Sequence, residues 1–531
     1  MMPHLLFSLV VLPPCRLIHE YVGLSDLLTI GADQCCSGQF EIAGEMAKDV
    51  ELNASIDIIG SHCPGSLNGQ RSPNPSVLAL NKPLWNTEQH FGIPDPSSLK
   101  CWQFQTALDL AQTLNGMYIE AQQTSTQMWT PIYSWYDWLP YAGKGLLVAN
   151  EPWSQTYNIS DTVWAMAHTT QFAQPGWRYG GAEACAAINA TVGGKWSGSY
   201  VSYLSPDGHD VSVVIETSGA TGPTSILLTL EGATLSPVEK LERWTTVEGA
   251  VFVHAAPIAS SKSAGGTNVF KITVPPRTIW TLTTLATGQS KGVPATEATG
   301  KGTPFSFLLP YYDDFESYPL DTLPLYFSDM HGAFAVVMEE GNKAMRQLAG
   351  EAPPLCTHGS GATAYATVIG DASWSDYTLS VKASATAAPS STASSIPFLL
   401  IGSHAGGSAT LSLKPESFYH APYTANGVVL RLNMDGTWTL STKAKLVASG
   451  KGGAWSPGKT LAITLTVHAS GGENNTVVSA DVDGVDLTKQ LSVGEKSQSM
   501  FGAAWLGGGF HETTFDDFSI TKVSSPFRLG V

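Results

Sequence analysis

Glu88 is the residue whose surroundings best suit it to do chemistry. It closes the short apolar stretch Lys82-Pro83-Leu84-Trp85-Asn86-Thr87-Glu88. Pro83 fits the first residue of a strand, and Leu84 and Trp85 fit a buried one. Pro94 and Pro96 follow closely, so the chain must leave the strand soon after the carboxylate. A carboxylate at the C-terminal tip of a barrel strand stands where enzymes of that architecture keep their catalytic groups. The plainer alternative is a solvated glutamate at the start of a loop. A second carboxylate, Glu151, lies between Asn150 and Pro152 and resembles a catalytic acid from sequence alone.

Several elements must position these groups. Leu27 to Asp33 reads as a buried strand, and Phe40, Ala43, Ala47 and Val50 have helical spacing. Ser55 to Gly60 reads as a second strand opening onto Ser61-His62-Cys63-Pro64-Gly65. The stretch ending at Glu88 is the third, a helix spans about Trp102 to Gly116, and Ala121 to Trp129 is the fourth strand. Alternating strands and helices predict parallel βαβ units. A closed barrel of this kind needs eight strands, and the pattern changes after the fourth. Half a barrel would leave two strand edges open.

After Trp177 the texture is all-β, with period-two runs at Gly198–Tyr203, Asp210–Glu216, Asn268–Val274 and Thr278–Leu285. Short strands separated by turn signals predict a sandwich. Ala286 to Pro304 reads as a linker, and Ala383 to Ser395 as a small-residue loop. Asp-Asp-Phe recurs at Asp313-Asp314-Phe315 and Asp516-Asp517-Phe518, which predicts first and last strands lying side by side as in a jelly roll. The predicted organisation is multidomain, α/β plus all-β. Residues 1–26 carry no assigned structure, 27–165 form parallel βαβ units, 166–300 a β-sandwich and 301–531 a jelly roll.

The chain's 531 residues are too many for one core, and its net charge is −16. An acidic chain without clustered Lys and Arg is not built to bind nucleic acid. No apolar run is long enough to span a bilayer. Four sequons, at Asn53, Asn158, Asn189 and Asn474, give mild support to a secreted or lysosomal protein. Leu5 to Leu12 resembles a short signal core, but no Lys or Arg precedes it and Pro13-Pro14 ends it. The seven cysteines show no metal-binding spacing, and their odd number leaves at least one unpaired within the chain.

Several stretches in one order resemble the galactocerebrosidase (galactosylceramidase) family of retaining glycoside hydrolases. They are Asp57-Ile58-Ile59-Gly60-Ser61-His62-Cys63-Pro64-Gly65, Leu84-Trp85-Asn86-Thr87-Glu88, Gln122 to Thr126 leading to Trp129, and Leu139-Pro140-Tyr141. Asn150-Glu151-Pro152-Trp153-Ser154 follows, then Ala167 to Trp177, Val214-Ile215-Glu216-Thr217 and Thr281 to Gly288. The resemblance implies a TIM barrel, of which residues 27–165 are the C-terminal half, a sandwich, and a lectin-like jelly roll over 301–531. It also implies that Glu88 is the nucleophile in removal of β-galactose from a glycosphingolipid, which a saposin-like carrier would present. In this chemistry two carboxylates flank the bond, about 5–5.5 Å apart in a retaining enzyme. His62, Ser61 and Tyr141 are candidates to orient Glu88 or the sugar, and Trp129 to stack on galactose. His62 bonding backbone and Trp129 in the core are the structural alternatives. Glu151 and Trp153 are read as structural or adjacent to substrate. No cofactor is expected for catalysis. A structural Ca²⁺ is implied in the last domain, with Asp516 the best match and Asn433 and Asp435 as companions; an ordinary Asp435-Gly436 hairpin is the alternative.

The chain departs from the family in two places. The family's acid/base sits in an Asn-Glu pair on the fourth barrel strand, which would precede Leu27 by a whole helix. Glu20 lies too close to Asp33 to leave room for a strand tip, a crossover helix and the next strand. The acid/base and the opening half of the barrel are therefore expected to be missing. The family's longer loop after Thr217, with its Arg and Cys, is also missing, so Cys101 loses the partner that the resemblance implies. Two readings result: a galactosylceramidase-like hydrolase without its proton donor, and a catalytically inactive, lectin-like glycan-binding protein.

Overall fold

The structure is a computed structural model. It describes residues 27–34, 40–62, 73, 75–89, 104–129, 131–135, 146–150, 158–189, 196–230, 238–262, 268–287, 307–349, 364–371, 373–386, 396–406, 427–442, 445–453, 455–469, 476–493 and 501–523. The described residues are mostly β-sheet with few helices. It divides into two compact units, one of residues 1–133, 143–148 and 157–301, the other of 134–142, 149–156 and 302–531.

The strands expected around Glu88 form one four-stranded sheet in chain order: β1 (Ile30–Gln34), β2 (Ile58–His62), β3 (Leu84–Gln89) and β4 (Gln123–Met128). All three pairings are parallel. Helices α1 (Ile42–Met46) and α2 (Val50–Ser55) connect the first pair, α3 (Pro75–Ala79) the second and α4 (Phe104–Ala121) the third. Ala43, Met46, Leu52, Ile56, Ile59, Val77 and Leu84 make a common core. Burying an aliphatic side chain of this size contributes roughly 1.5–3 kcal/mol.

Two predicted boundaries move for local reasons. The single helix expected over Phe40 to Val50 is broken because Asp49 caps a new helix, its carboxylate accepting from Leu52 N at 3.0 Å. Ser55 closes that helix, its hydroxyl donating to Leu52 O at 2.9 Å. Strand β2 therefore starts at Ile58 and takes in Ser61 and His62. The change from α4 to β4 takes one residue: Gln122 is left-handed at φ 54°, and its N–H caps Tyr118 O at 2.9 Å.

The first unit also contains a sandwich. Its larger sheet runs Ala250–Ala259, Lys240–Val247, Ile279–Thr283, Val211–Glu216, Gly198–Leu204, Arg178–Tyr179; the smaller runs Thr224–Thr229, Asn268–Val274, Ser261–Lys262. All six residues of Val211–Glu216 are buried, although the stretch reads as a period-two run. Val211, Val213 and Ile215 pack with Phe270, Ile272 and Val274 of the smaller sheet. Val214 faces the other way, onto Ala107, Leu108 and Ala111 of α4.

The second unit contains a nine-stranded and a seven-stranded sheet around a core that includes Tyr377, Trp505, Phe515 and Phe518. The recurring Asp-Asp-Phe segments do pair, antiparallel, with Asp313 opposite Phe518 and Tyr311 opposite Ile520. Ala383 and Ala385 are buried in the strand Tyr377–Ala385, not in the predicted loop.

Candidate active site

Parallel register brings the C-terminal ends of β2, β3 and β4 to one rim. His62 pairs with Glu88 and Gln89 with Met128. His62 Nδ1 lies 3.5 Å from Glu88 Oε2, and the two side chains keep 19% and 25% of their surface exposed. The pair therefore stands at the surface of the rim, within ion-pair reach. Trp129 continues the β3–β4 pairing, its backbone N–H donating to Gln89 O at 3.1 Å. The nucleophile candidate, His62 and Trp129 are thus brought to the same end of the sheet.

Glu88 is half-exposed against the period of its own strand. Leu84 is buried, Trp85 half-buried, Asn86 buried and Thr87 half-buried. Alternation would next bury Glu88. Instead Glu88 is half-buried and Gln89 is buried. The register explains this. Ser61 and His62 are consecutive on β2, but their partners Asn86 and Glu88 are two apart on β3. Thr87 is the inserted residue of a β-bulge, a device that re-aims the side chain after it.

Ser61, expected to orient Glu88 or the sugar, is fully buried and accepts a hydrogen bond from Gln123 Nε2 at 2.9 Å. It alternates with His62 and shares its face with Ile59, which packs under the helices. Tyr141, Glu151 and Trp153 lie outside the residues whose side chains the structure describes.

The oxygens suggested for Ca²⁺ come from both sheets of the second unit. Asn433 Oδ1 accepts from Arg431 Nε at 2.9 Å and its amide donates to Thr437 Oγ1. Asp435 Oδ1 accepts from Thr437 N and Oγ1 at 2.9 and 2.6 Å, the geometry of a hairpin turn. Asp516 stands on a strand of the other sheet and accepts from Asn342 Nδ2 at 2.9 Å. Burial holds its carboxyl above the usual range. Each of the three thus has a protein partner of its own.

Two buried polar groups went unremarked in the sequence, although both lie in family-like stretches. His168, on α5 (Asp161–Thr170), is fully buried. Thr281 Oγ1 donates to His168 O at 2.7 Å, so it accepts from Nδ1–H at 2.8 Å. With the proton of the neutral ring on Nδ1, Nε2 accepts from Thr246 Oγ1 at 2.8 Å, and that hydroxyl in turn accepts from Phe252 N. These contacts select one neutral tautomer, and burial lowers the imidazole pKa to about 3. Glu216 is also fully buried, accepting from Ser199 Oγ at 2.6 Å and Ser218 N at 2.8 Å. Asn115 of α4 donates to Ser199 Oγ at 3.0 Å, which ties the helix to the sandwich. Both residues brace the fold.

Residues 16–171 match glycosyl hydrolase family 59. Galactocerebrosidase of Mus musculus is 30% identical over 68% of the chain and 52% of the mouse protein. Galactocerebrosidase of Danio rerio is 27% identical over 94% of the chain and 71% of the fish protein. The chain spans about half the length of the mouse and human relatives it matches. Among solved structures, a lectin, UEA-II, complexed with galactose overlaps 40% of the chain at 9% identity and a TM-score of 0.27, too loose a likeness to assign a fold.

Proposed function

The chain belongs to the galactocerebrosidase family of glycoside hydrolases, and on that premise we propose that it is a retaining glycosidase with Glu88 as nucleophile, removing β-galactose from galactosylceramide-type glycosphingolipids. One observation carries the reading: Glu88 stands half-exposed at the C-terminal rim of a parallel sheet, 3.5 Å from His62, where the family-like stretch ends. We take the four strands as the second half of an eight-stranded barrel whose mouth is that rim.

A Glu88 oxygen attacks the anomeric carbon as the bond to the lipid oxygen breaks. A galactosyl ester forms on Glu88, and water then releases the sugar. His62 holds the carboxylate from one side, and Trp129 offers an apolar face to the sugar ring. The leaving oxygen needs a proton, and we assign that role to no residue of this chain. Turnover by this chain should then depend on the leaving group, because a general acid supplies typically 10²–10⁴-fold and matters most for a poor one. The family further suggests a secreted or lysosomal setting and a saposin-like carrier for the lipid. Among the described residues, no helix is long and apolar enough to cross a membrane.

The test compares dinitrophenyl β-galactoside with galactosylceramide, using the chain and its Glu88→Gln variant. We expect slow release of dinitrophenolate, no release of ceramide, and loss of the first activity in the variant. Equal activity in the variant would overturn the assignment. Binding of galactosyl lipid with no turnover of either compound would leave a glycan-binding protein in its place.

A further inference from the structure

We propose that the buried amide pair Asn86–Gln89 is a positioning clasp that sets the direction of Glu88. This rests on the reading of Glu88 as nucleophile. Asn86 Nδ2 donates to Gln89 Oε1 at 2.8 Å, and both side chains are buried, 0% and 3% exposed. In a regular strand, residues three apart point to opposite faces and lie about 10 Å apart along the chain. A direct bond between their side chains therefore requires the extra residue that the register shows between them. The bond and the bulge stabilise one another: without the bulge the amides cannot meet, and with the amides joined Thr87 and Glu88 must arch out together.

The neighbouring strand is shaped to receive the arch. A Cβ on Gly60 would lie 2.9 Å from Thr87 Cγ2 and 2.9 Å from Ile30 Cγ2. The inserted threonine thus occupies the space a side chain at position 60 would fill. Gly60 pairs with Trp85, just before the slip. Asn86, Gln89 and Gly60 together fix where the strand gains its residue, and so fix that Glu88 meets His62 at the rim instead of turning into the sheet. Asn86 and Gln89 act through Glu88 and do not themselves react.

The test measures how fast a 2-deoxy-2-fluoro-β-galactoside with a dinitrophenolate leaving group labels Glu88 in the whole chain. The variants are Asn86→Leu and Gln89→Leu, which break the bond, and Gln89→Glu, which keeps an accepting oxygen. We expect labelling at saturating reagent to slow on the order of ten- to a hundred-fold in the two leucine variants, with the half-saturating concentration unchanged. Gln89→Glu should recover most of the rate. Unchanged rates in both leucine variants would overturn the clasp. If a leucine variant fails to fold, Asn86→Ser removes the reach without adding bulk and takes its place. If the unmutated chain is not labelled, the nucleophile reading fails, and a crystal structure of the Asn86 variant judges the clasp separately. Glu88 turned away from His62 supports it; a retained 3.5 Å approach overturns it.

Discussion

His168 belongs to the longest family-like stretch, and a histidine in such a motif invites a catalytic reading. Its two ring nitrogens are instead satisfied by Thr246 and Thr281 inside the fold. The consequence is a pH dependence of stability. The folded-state pKa is lowered to about 3 from an ordinary value of 6.5, so between those values the unfolded chain binds the extra proton. Stability is full above about pH 6.5 and is lost as pH falls toward 3, by an amount on the order of a few kcal/mol. Denaturation of the chain at pH 7.5, 6, 5 and 4 should show this decline. The variant His168→Gln should be less stable at neutral pH but flatter across the series. An unchanged slope in the variant would assign the acid sensitivity elsewhere. Glu216 makes a second case. Replacing it with Ala strands Ser199 and the Ser218 N–H, and should cost about 1–3 kcal/mol in chemical denaturation. The sequence places both residues in recognisable stretches, but their bracing role depends on partners far along the chain and is not legible locally.

The first three parallel strands around Glu88 were legible because each is a short apolar run followed by punctuation; the fourth, Gln123–Met128, is mostly polar and was legible from its Thr-Ser-Thr run. What the sequence hid was register. A bulge is set by how two neighbouring strands align, so nothing in Asn86-Thr87-Glu88-Gln89 alone announces it; the nearest signal is a carboxylate, Glu88, at a position the period would bury. The broken helix before β2 was legible in principle, since Asp49 stands three residues before Leu52 as a capping residue should. The strand Val211–Glu216 hid its full burial for a different reason. It is covered on one face by the smaller sheet and on the other by α4, and only the fold reveals the second cover. Gly60 offers a test at this scale. Gly60→Ala would force its Cβ against Thr87 and Ile30 and should destabilise by about 1–3 kcal/mol. A denaturation midpoint equal to that of the unmutated chain would show that the bulge does not need the space.

The chain's two compact units have separate cores, one in the second unit around Trp505 and Phe515, others in the first around α4 and the sandwich. Calorimetry should accordingly resolve two transitions. Trp505 is fully buried, so Trp505→Ala should lower one transition by an amount corresponding to about 3–5 kcal/mol and leave the other in place. His168→Gln should move the other. One shared transition, shifted by either change, would contradict this independence. The pairing of Tyr311–Asp313 with the last strand was legible from its repeated Asp-Asp-Phe, while the merging of the parallel sheet and the sandwich into one unit was not. All of this scaffolding bears on one carboxylate. The most direct measurement is to trap the chain with an activated 2-fluorogalactoside, digest it and locate the added sugar by mass spectrometry. The label is predicted on the peptide containing Glu88, and should vanish in Glu88→Gln. A sugar found on any other carboxylate, with Glu88 unmodified, would contradict the account.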